Sequence, residues 1–477
     1  MIRLTELTLD GIRNVGHGVI DFDDLETGGS VTGIYGQNGS GKTSIIDAID
    51  ILRHLMAGRK LFEGSADSVN ADTNKATITA TYRITDKTGK AAYVEYAVTL
   101  IGGYADRIAR IEYESLRVSK NRNRMGRILL ERTHAGEQSK KLPVYVWRSL
   151  LSIPGIKSDM DFFDRANQFD GMSFLFAPYR TVSRREETGD DLTLKRFIDL
   201  AKETKGLSAQ TVSYLDEKLN PAMTLLQQLA DYANNNVYVS TTRFSNMASY
   251  QYAPIADMKT GQVILLNLLE PNLMGDDQLK RVQEIISTYN LLLPTLVPNL
   301  QLQLLESPAQ SDDQGRHRTQ VEIMSSRGGT PFPFRNESEG IIRITMLLSF
   351  YIRVYNDPNV LVAVDEIDSG VFEKLLGEIL KQITSGIRGQ LIFTAHNLHP
   401  FEVLPSKCLR TTVVDPDDRF NRGPKIRPTN NGRNVYKDVL DLGWDGPDIY
   451  QAPPARMFAN ALFLAGHPKS GEEKSRG

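Results

Sequence analysis

The stretch Ser30-Val31-Thr32-Gly33-Ile34-Tyr35-Gly36-Gln37-Asn38-Gly39-Ser40-Gly41-Lys42-Thr43-Ser44 decides the fold of this 477-residue chain. Ser30–Tyr35 is a short, mostly apolar run that reads as a strand, and Gly36–Thr43 matches the pattern G-x-x-x-x-G-K-[ST]. Glycines 36, 39 and 41 let the backbone curl so that successive N–H groups point inward at phosphate oxygens. Lys42 is placed to reach β- and γ-phosphates, and Thr43 offers a hydroxyl to Mg²⁺. A helix is predicted over Lys42–Met56, because Ile45, Ile46, Ile49, Leu52 and Leu55 fall on one face. Its N-terminus adds partial positive charge to the cradle. The expected nucleotide contacts are therefore Gly36, Asn38, Gly39, Ser40, Gly41, Lys42, Thr43 and Ser44. A chance glycine turn before a helix is the bland alternative, but the strand before and the helix after are the context the pattern requires.

Upstream, Ile2–Asp10 alternates apolar and polar side chains as a strand does, and a second strand is expected at Val19–Phe22. Downstream, Ala76–Thr85 with Ala92–Ile101 and Arg110–Val118 with Arg127–Arg132 read as strand pairs. This first unit is expected to span 1–152. From 153 to 298 the character changes to long, polar, helix-periodic stretches (Asp191–Thr204, Ser208–Asn235, Asp277–Leu292), read as a helical insertion. Asn236–Gln251 is Asn/Ser/Tyr-rich and fits neither period. Strands resume at Leu300–Glu306 and Thr319–Ser325, opening a unit over 299–415, and 416–477 reads as an extension ending in a charged tail.

Three later segments complement the loop. Leu361–Val364 runs straight into Asp365-Glu366, an acid pair at the carboxyl end of a buried strand, where doubly wound sheets place ligands. Asp365 would hold Mg²⁺ and Glu366 would activate the attacking water, unless the pair merely starts a surface turn. Leu391–Thr394 ends in Ala395-His396-Asn397, so His396 is placed to sense a γ-phosphate or is a satisfied loop histidine; His399 reads as structural. Asn336-Glu337-Ser338-Glu339-Gly340 opens a helix over Glu339–Tyr355, as an anion site or simply as a cap.

In this order, GQNGSGKT, Ser338-Glu339-Gly340, VLVAVDEID and LIFTAHN resemble the ABC-class ATPases of the RecF, SMC and OLD type. Within them the chain looks most like the stand-alone AAA-labelled ATP-binding proteins of bacterial anti-phage systems, the ATPase subunits of PARIS, Septu and retron-linked modules. The likeness covers about the first 150 and the last 170 residues. It implies an α/β fold, a two-lobed ABC-type P-loop ATPase head with a helical insertion, using ATP and Mg²⁺. It further implies that Lys42, Glu366 and His396 are catalytic and that Thr43 and Asp365 hold the metal. Ser338 and Gly340 would close over ATP bound to a second copy, so the chain would pair with itself or form a higher homo-oligomer. Arg13-Asn14 stands where relatives place residues near the nucleotide. The signature is the abbreviated OLD-like form, no glutamine loop stands out beyond Gln168, and the insertion is too short for long coiled coils.

Composition narrows the rest. The chain is 40% hydrophobic and 24% charged, as globular proteins are, with a formal net charge of -2 that gives no global pull toward nucleic acid. Local basic stretches at Lys120, Arg122, Arg124 and Arg127, and at Arg180, Arg184 and Arg185, either contact nucleic-acid phosphates or are solvated turns. One cysteine, Cys408, fits a reducing cytoplasm, and the charged N-terminus and short apolar runs argue for a cytoplasmic protein without a membrane segment. OLD-type relatives carry a nuclease after the histidine strand, but only about eighty residues follow His396. Val413-Val414-Asp415-Pro416-Asp417-Asp418 accordingly reads as a turn after an edge strand rather than a metal-binding acid pair. The expectation is an ATPase that controls a separate effector, a nuclease or toxin, in anti-phage defence. The alternatives are a RecF-like DNA-repair ATPase, an ATP-binding scaffold and, least favoured, a kinase.

Overall fold

In the computed structural model, residues 1–22, 28–102, 107–122, 124, 126–133, 171–173, 175–176, 209–214, 217, 220–241, 252–256, 263–311, 317–421, 431–442, 446–450, 461–462 and 465 are described. The strands are β1 (Ile2–Ile12), β2 (Val15–Asp21), β3 (Ser30–Tyr35), β4 (Lys75–Thr85), β5 (Ala91–Ile101), β6 (Arg110–Ser119), β7 (Arg127–Thr133), β8 (Val237–Ser240), β9 (Tyr252–Ala256), β10 (Val263–Asn267), β11 (Asn272–Met274), β12 (Gln301–Ser311), β13 (His317–Ser326), β14 (Phe332–Pro333), β15 (Leu361–Val364), β16 (Gln390–Thr394), β17 (Leu409–Thr412) and β18 (Phe420–Asn421). The main helices are α1 (Lys42–Met56), α2 (Asn220–Asn235), α3 (Asp276–Leu296), α4 (Glu339–Asn356), α5 (Glu373–Gly386) and α6 (Gly432–Leu442).

The central sheet, in the order β18-β17-β3-β16-β15-β8 among the described residues, holds the phosphate-loop strand between β17 and β16. Its β17, β3, β16, β15 and β8 are mutually parallel, with Thr394 beside Ile34 and Val364 beside Phe393. All four residues of β15 and all five of β16 are buried, the pattern of strands covered on both faces. Parallel strands in register release their following loops at one edge. The phosphate loop, the Asp365-Glu366 pair and His396 therefore leave the sheet at the same end.

A second, antiparallel sheet runs β2-β1-β4-β5-β6-β7. Here β4 alternates buried and half-buried residues, because only one face meets the core. Helix α1 lies between the two sheets. Its Ile45, Ile46, Ile49, Leu52 and Leu55 share one core with Leu7, Leu9, Ile78 and Val98 of the antiparallel sheet and with Leu226 and Leu229 of α2. On the other face of the central sheet, α4 and α5 bury Leu347, Phe350, Leu376 and Leu380 against Val362, Val364, Leu391 and Phe393. Gln390 joins the sheets, accepting from Leu4 N at 2.9 Å and donating to Leu4 O at 2.8 Å.

The expected α/β class and two-lobed head are what the structure shows; the expected boundaries are not. Within 153–298, β8 pairs with β15 in the central sheet and α2 packs on α1, so residues 220–240 belong to the core. Strands β9, β10 and β11 also interrupt that stretch, which is not wholly helical. Four residues are too few to display a strand period, and β8 owes its conformation to the open edge of β15. Nor does the core stop at 415, since β18 pairs with β17 beyond it. Asp191–Thr204, Gln168 and Arg180–Arg185 lie outside the described residues.

Candidate functional site

The phosphate loop passes from β3 into α1 with Gly36, Gly39 and Gly41 at positive φ. At Gly41 (φ 87) a Cβ would stand 2.6 Å from the Val15 side chain, so both the dihedral and the space require glycine. Lys42 is buried and donates from Nζ to the carbonyls of Gly36 and Gln37, each at 2.9 Å. Burial pulls its ammonium below the ordinary lysine value, while the carboxylates of Asp365, Glu366 and Asp368 oppose that shift.

Asp365 comes within reach from 322 residues away: Thr43 Oγ1 donates to Asp365 Oδ1 at 3.3 Å. Asp365 is fully buried and closely held. Thr394 Oγ1 donates to its Oδ1 at 2.6 Å, Arg343 Nη2 to its carbonyl at 3.0 Å, and its N–H goes to Ser240 O at 2.8 Å. The next residue turns sharply: Glu366 has φ 47, and its N–H donates to Thr394 Oγ1 at 2.8 Å. A left-handed non-glycine residue costs on the order of 1 kcal/mol, and such strain gathers at functional sites. Its side chain is left 41% exposed, with Oε1 3.8 Å from His396 Nε2. Asp368 orients the histidine loop by accepting from His396 N at 2.9 Å and Asn397 N at 2.7 Å.

Asn38, Gly39, Lys42, Thr43, Asp365, Glu366, Thr394 and His396 line one cleft of about 390 Å³. A hydroxyl and a carboxylate oxygen side by side form an oxygen-only donor pair of the chemistry that would suit Mg²⁺. The other expected contacts stand around this cleft. Ser44 is buried and Ser40 is hydrogen-bonded to Thr412, and neither side chain lines it. Arg13, at φ 53, pairs with Asp47 at 2.8 Å, and the Asn14 amide donates to the Gly39 carbonyl. Ser338 is exposed at the start of α4, and Gly340 abuts the Gly370 carbonyl; neither enters the cleft of its own chain. His399 does not line the cleft, and its Nδ1 lies 2.8 Å from Glu402 Oε2. The residues 413–419 form a turn between β17 and β18.

Sequence reasoning missed Thr394, Asp368, Arg343 and Thr412. Thr394 left a faint trace, as a hydroxyl closing the apolar run Leu391–Phe393, whereas Thr412 ends the mixed strand Leu409-Arg410-Thr411-Thr412 and left none. Arg343 sits inside an apolar helix pattern that gives no hint of its target, the Asp365 carbonyl. In the basic stretch, Arg122 is bound to Asp21 at 2.9 Å, while Lys120, Arg124 and Arg127 are exposed.

The protein family described as AAA domain matches residues 6–238, a stretch that includes the phosphate loop and ends before Ser338, Asp365 and His396. No curated protein matches. Among solved structures, the Smc head domain of Pyrococcus furiosus, with an extended coiled coil and bound to the C-terminal domain of ScpA, is 14% identical, with a TM-score of 0.40, 93% of this chain and 100% of that one covered. The SMC head domain from Thermotoga maritima is 14% identical, with a TM-score of 0.36 and coverage of 89% and 100%. The Smc head domain with a coiled coil and joint from Pyrococcus yayanosii is 11% identical, with a TM-score of 0.40 and coverage of 92% and 100%.

Proposed function

We propose that this chain is an ATPase that binds Mg²⁺-ATP in the 390 Å³ cleft and hydrolyses it there. One observation carries the reading: a phosphate loop, a hydroxyl–carboxylate pair, a strained glutamate and a histidine converge on one cavity from the ends of three strands, β3, β15 and β16. Loop amides and Lys42 hold the phosphates, and Thr43 and Asp365 would hold the metal, which neutralises charge on the phosphate oxygens when bound. Glu366, half exposed at the mouth, accepts a proton from the attacking water. The water oxygen bonds to the γ-phosphorus as the bridging P–O bond breaks, and its electron pair leaves with ADP. His396, 3.8 Å from Glu366, lines the same cleft and would sense the γ-phosphate.

Lys42→Ala is expected to abolish ATP binding, and Glu366→Gln to slow phosphate release about 10²–10⁴-fold while binding persists. Normal turnover by both purified variants would show that the site is wrongly assigned.

The finer reading is that two heads pair, each Ser338-Glu339-Gly340 segment closing the other's cleft, and so hold or release a separate effector in anti-phage defence. The exposure of Ser338 outside its own cleft supports the pairing, and motif resemblance supports the defence role. Phage plating on cells carrying the gene and its neighbours, with and without Lys42→Ala, tests that role. The second reading, a RecF-like ATPase acting on DNA, is favoured by the exposed Lys120, Arg124 and Arg127. It requires ATP-dependent DNA binding that weakens steeply with salt.

A further inference from the structure

We infer that the hairpin made by β17, the turn 413–419 and β18 is a clamp that sets the phosphate loop. Arg419 and Thr412 are its positioning residues, acting through Asn14 and Ser40. This rests on the nucleotide reading of the cleft and adds a part that none of the loop motifs contains.

Arg419 is buried where its turn meets the loop. Its Nη1 donates to the carbonyls of Val413 at 2.9 Å and Val414 at 2.8 Å, which shapes the turn itself. Its Nη2 reaches across to the Asn14 carbonyl at 2.9 Å, and the Asn14 amide donates in turn to the Gly39 carbonyl. The Gly39–Ser40 peptide is thus held on both sides, since its N–H donates to Gln37 O at 3.3 Å. Thr412 supplies the second point of the clamp. Its Oγ1 is hydrogen-bonded to the Ser40 hydroxyl and lies 3.3 Å from the Tyr35 carbonyl.

The turn is docked rather than merely adjacent. Pro416 O accepts from Gly16 N at 2.8 Å and His17 N at 2.9 Å, and Arg419 N donates to His17 O at 3.0 Å. A Cβ on Gly36 would stand 1.8 Å from Thr412 Oγ1, and one on Gly16 would stand 2.2 Å from Asp417 Oδ1.

An anion cradle made of backbone amides works only while its peptide planes keep their aim. Glycines at positive φ lose that aim easily, because no side chain restrains them. Gly39 is the freest of the three, at φ 78 with nothing within 4 Å of its missing Cβ. The Asn14 bond restrains this peptide from outside, and Arg419 holds Asn14. Holding the cradle in its binding shape lowers the ordering cost when phosphates arrive.

Calorimetric titration of Mg²⁺-ATP into the full chain and steady-state hydrolysis test this with Asn14→Ala, Thr412→Val, Arg419→Lys and the Asn14→Ala/Arg419→Lys pair. Asn14 is exposed, so its variant should fold with a melting temperature within about 2 °C of the parent. That keeps the test open should the buried arginine prove indispensable to folding. Each single variant should weaken ATP binding and raise KM about three- to tenfold, with kcat within about twofold. The Asn14/Arg419 pair should lose no more than its worse single member, because both act in one chain of bonds. The parent and Lys42→Ala read the nucleotide assignment separately. If the parent binds ATP, Lys42→Ala does not, and Asn14→Ala and Thr412→Val both bind as the parent does, the clamp is overturned. Losses that multiply in the double variant overturn the relay through Asn14.

Discussion

Asp47 shows how far the fold bends the chemistry of single side chains around the loop. It lies one helical turn beyond Thr43, is almost wholly buried, and touches Arg13 at 2.8 Å. Burial pushes its carboxyl up to about 7; Arg13 opposes this, and the negative charges of Asp365 and Asp50 reinforce it. A carboxyl raised above its unfolded value binds more protons when folded, so its contribution favours the fold at low pH and is lost as pH rises. The window runs from the unfolded value near 4 up to about 7, with a slope approaching about 1.4 kcal/mol per pH unit. Chemical denaturation at pH 5, 6 and 7.5 should show parental stability falling relative to Asp47→Asn across this range. A constant difference between the two would remove the assignment. Glu366 is set apart by its backbone, which is left-handed and pinned by the Thr394 hydroxyl.

At the scale of elements, helix starts and strand ends do most of the positioning. Helix α1 spans the predicted Lys42–Met56, because its apolar spacing and the glycine before it agree on one structure. Helix α4 begins beside the loop that follows Glu366, so closely that a Cβ on Gly340 would stand 2.2 Å from the Gly370 carbonyl oxygen. Backbone on both sides leaves little room to adjust. Gly340→Ala should therefore cost about 1–3 kcal/mol in urea unfolding, although alanine ordinarily favours a helix over glycine. An unchanged or higher midpoint would mean that the loop at Gly370 yields freely. Thr394, Asp368 and Arg343 act the same way from β16, the loop after β15, and α4, each fixing a neighbour's backbone or carboxylate.

Over the whole molecule, the antiparallel sheet must stay joined to the central sheet for the loop to meet its acids. Gln390 makes that join by bonding both the N–H and the carbonyl of Leu4, 386 residues away in the chain. Gln390→Leu would leave both backbone groups buried and unpaired, at a cost of about 2–4 kcal/mol by equilibrium denaturation. A smaller loss would mean that the sheets are held mainly by the apolar layer around α1. Pairing of heads is a larger-scale proposition still. If Ser338 closes the cleft of a second copy, turnover per chain should rise with protein concentration. Ser338→Arg should suppress that rise while leaving ATP affinity of the single chain within about threefold. Concentration-independent turnover in the parent would count against the paired head.

The sequence alone determined what depends on local rules. Glycine spacing, helical period and apolar runs ending in acids or histidine sufficed to place the loop, α1, β15 and β16 and to nominate Lys42, Asp365, Glu366 and His396. Backbone sterics and side-chain periodicity act within a few residues, so these features are written in short words. Only the tertiary structure decided that β8 and α2 belong to the core and that the turn before Phe420 reaches Asn14, which bonds the phosphate loop. It also decided that Arg13 faces Asp47 and that Ser338 stands outside its own cleft. Those outcomes depend on contacts between residues tens to hundreds of positions apart. Their partners are chosen by sheet register and open strand edges, which leave no local pattern to read.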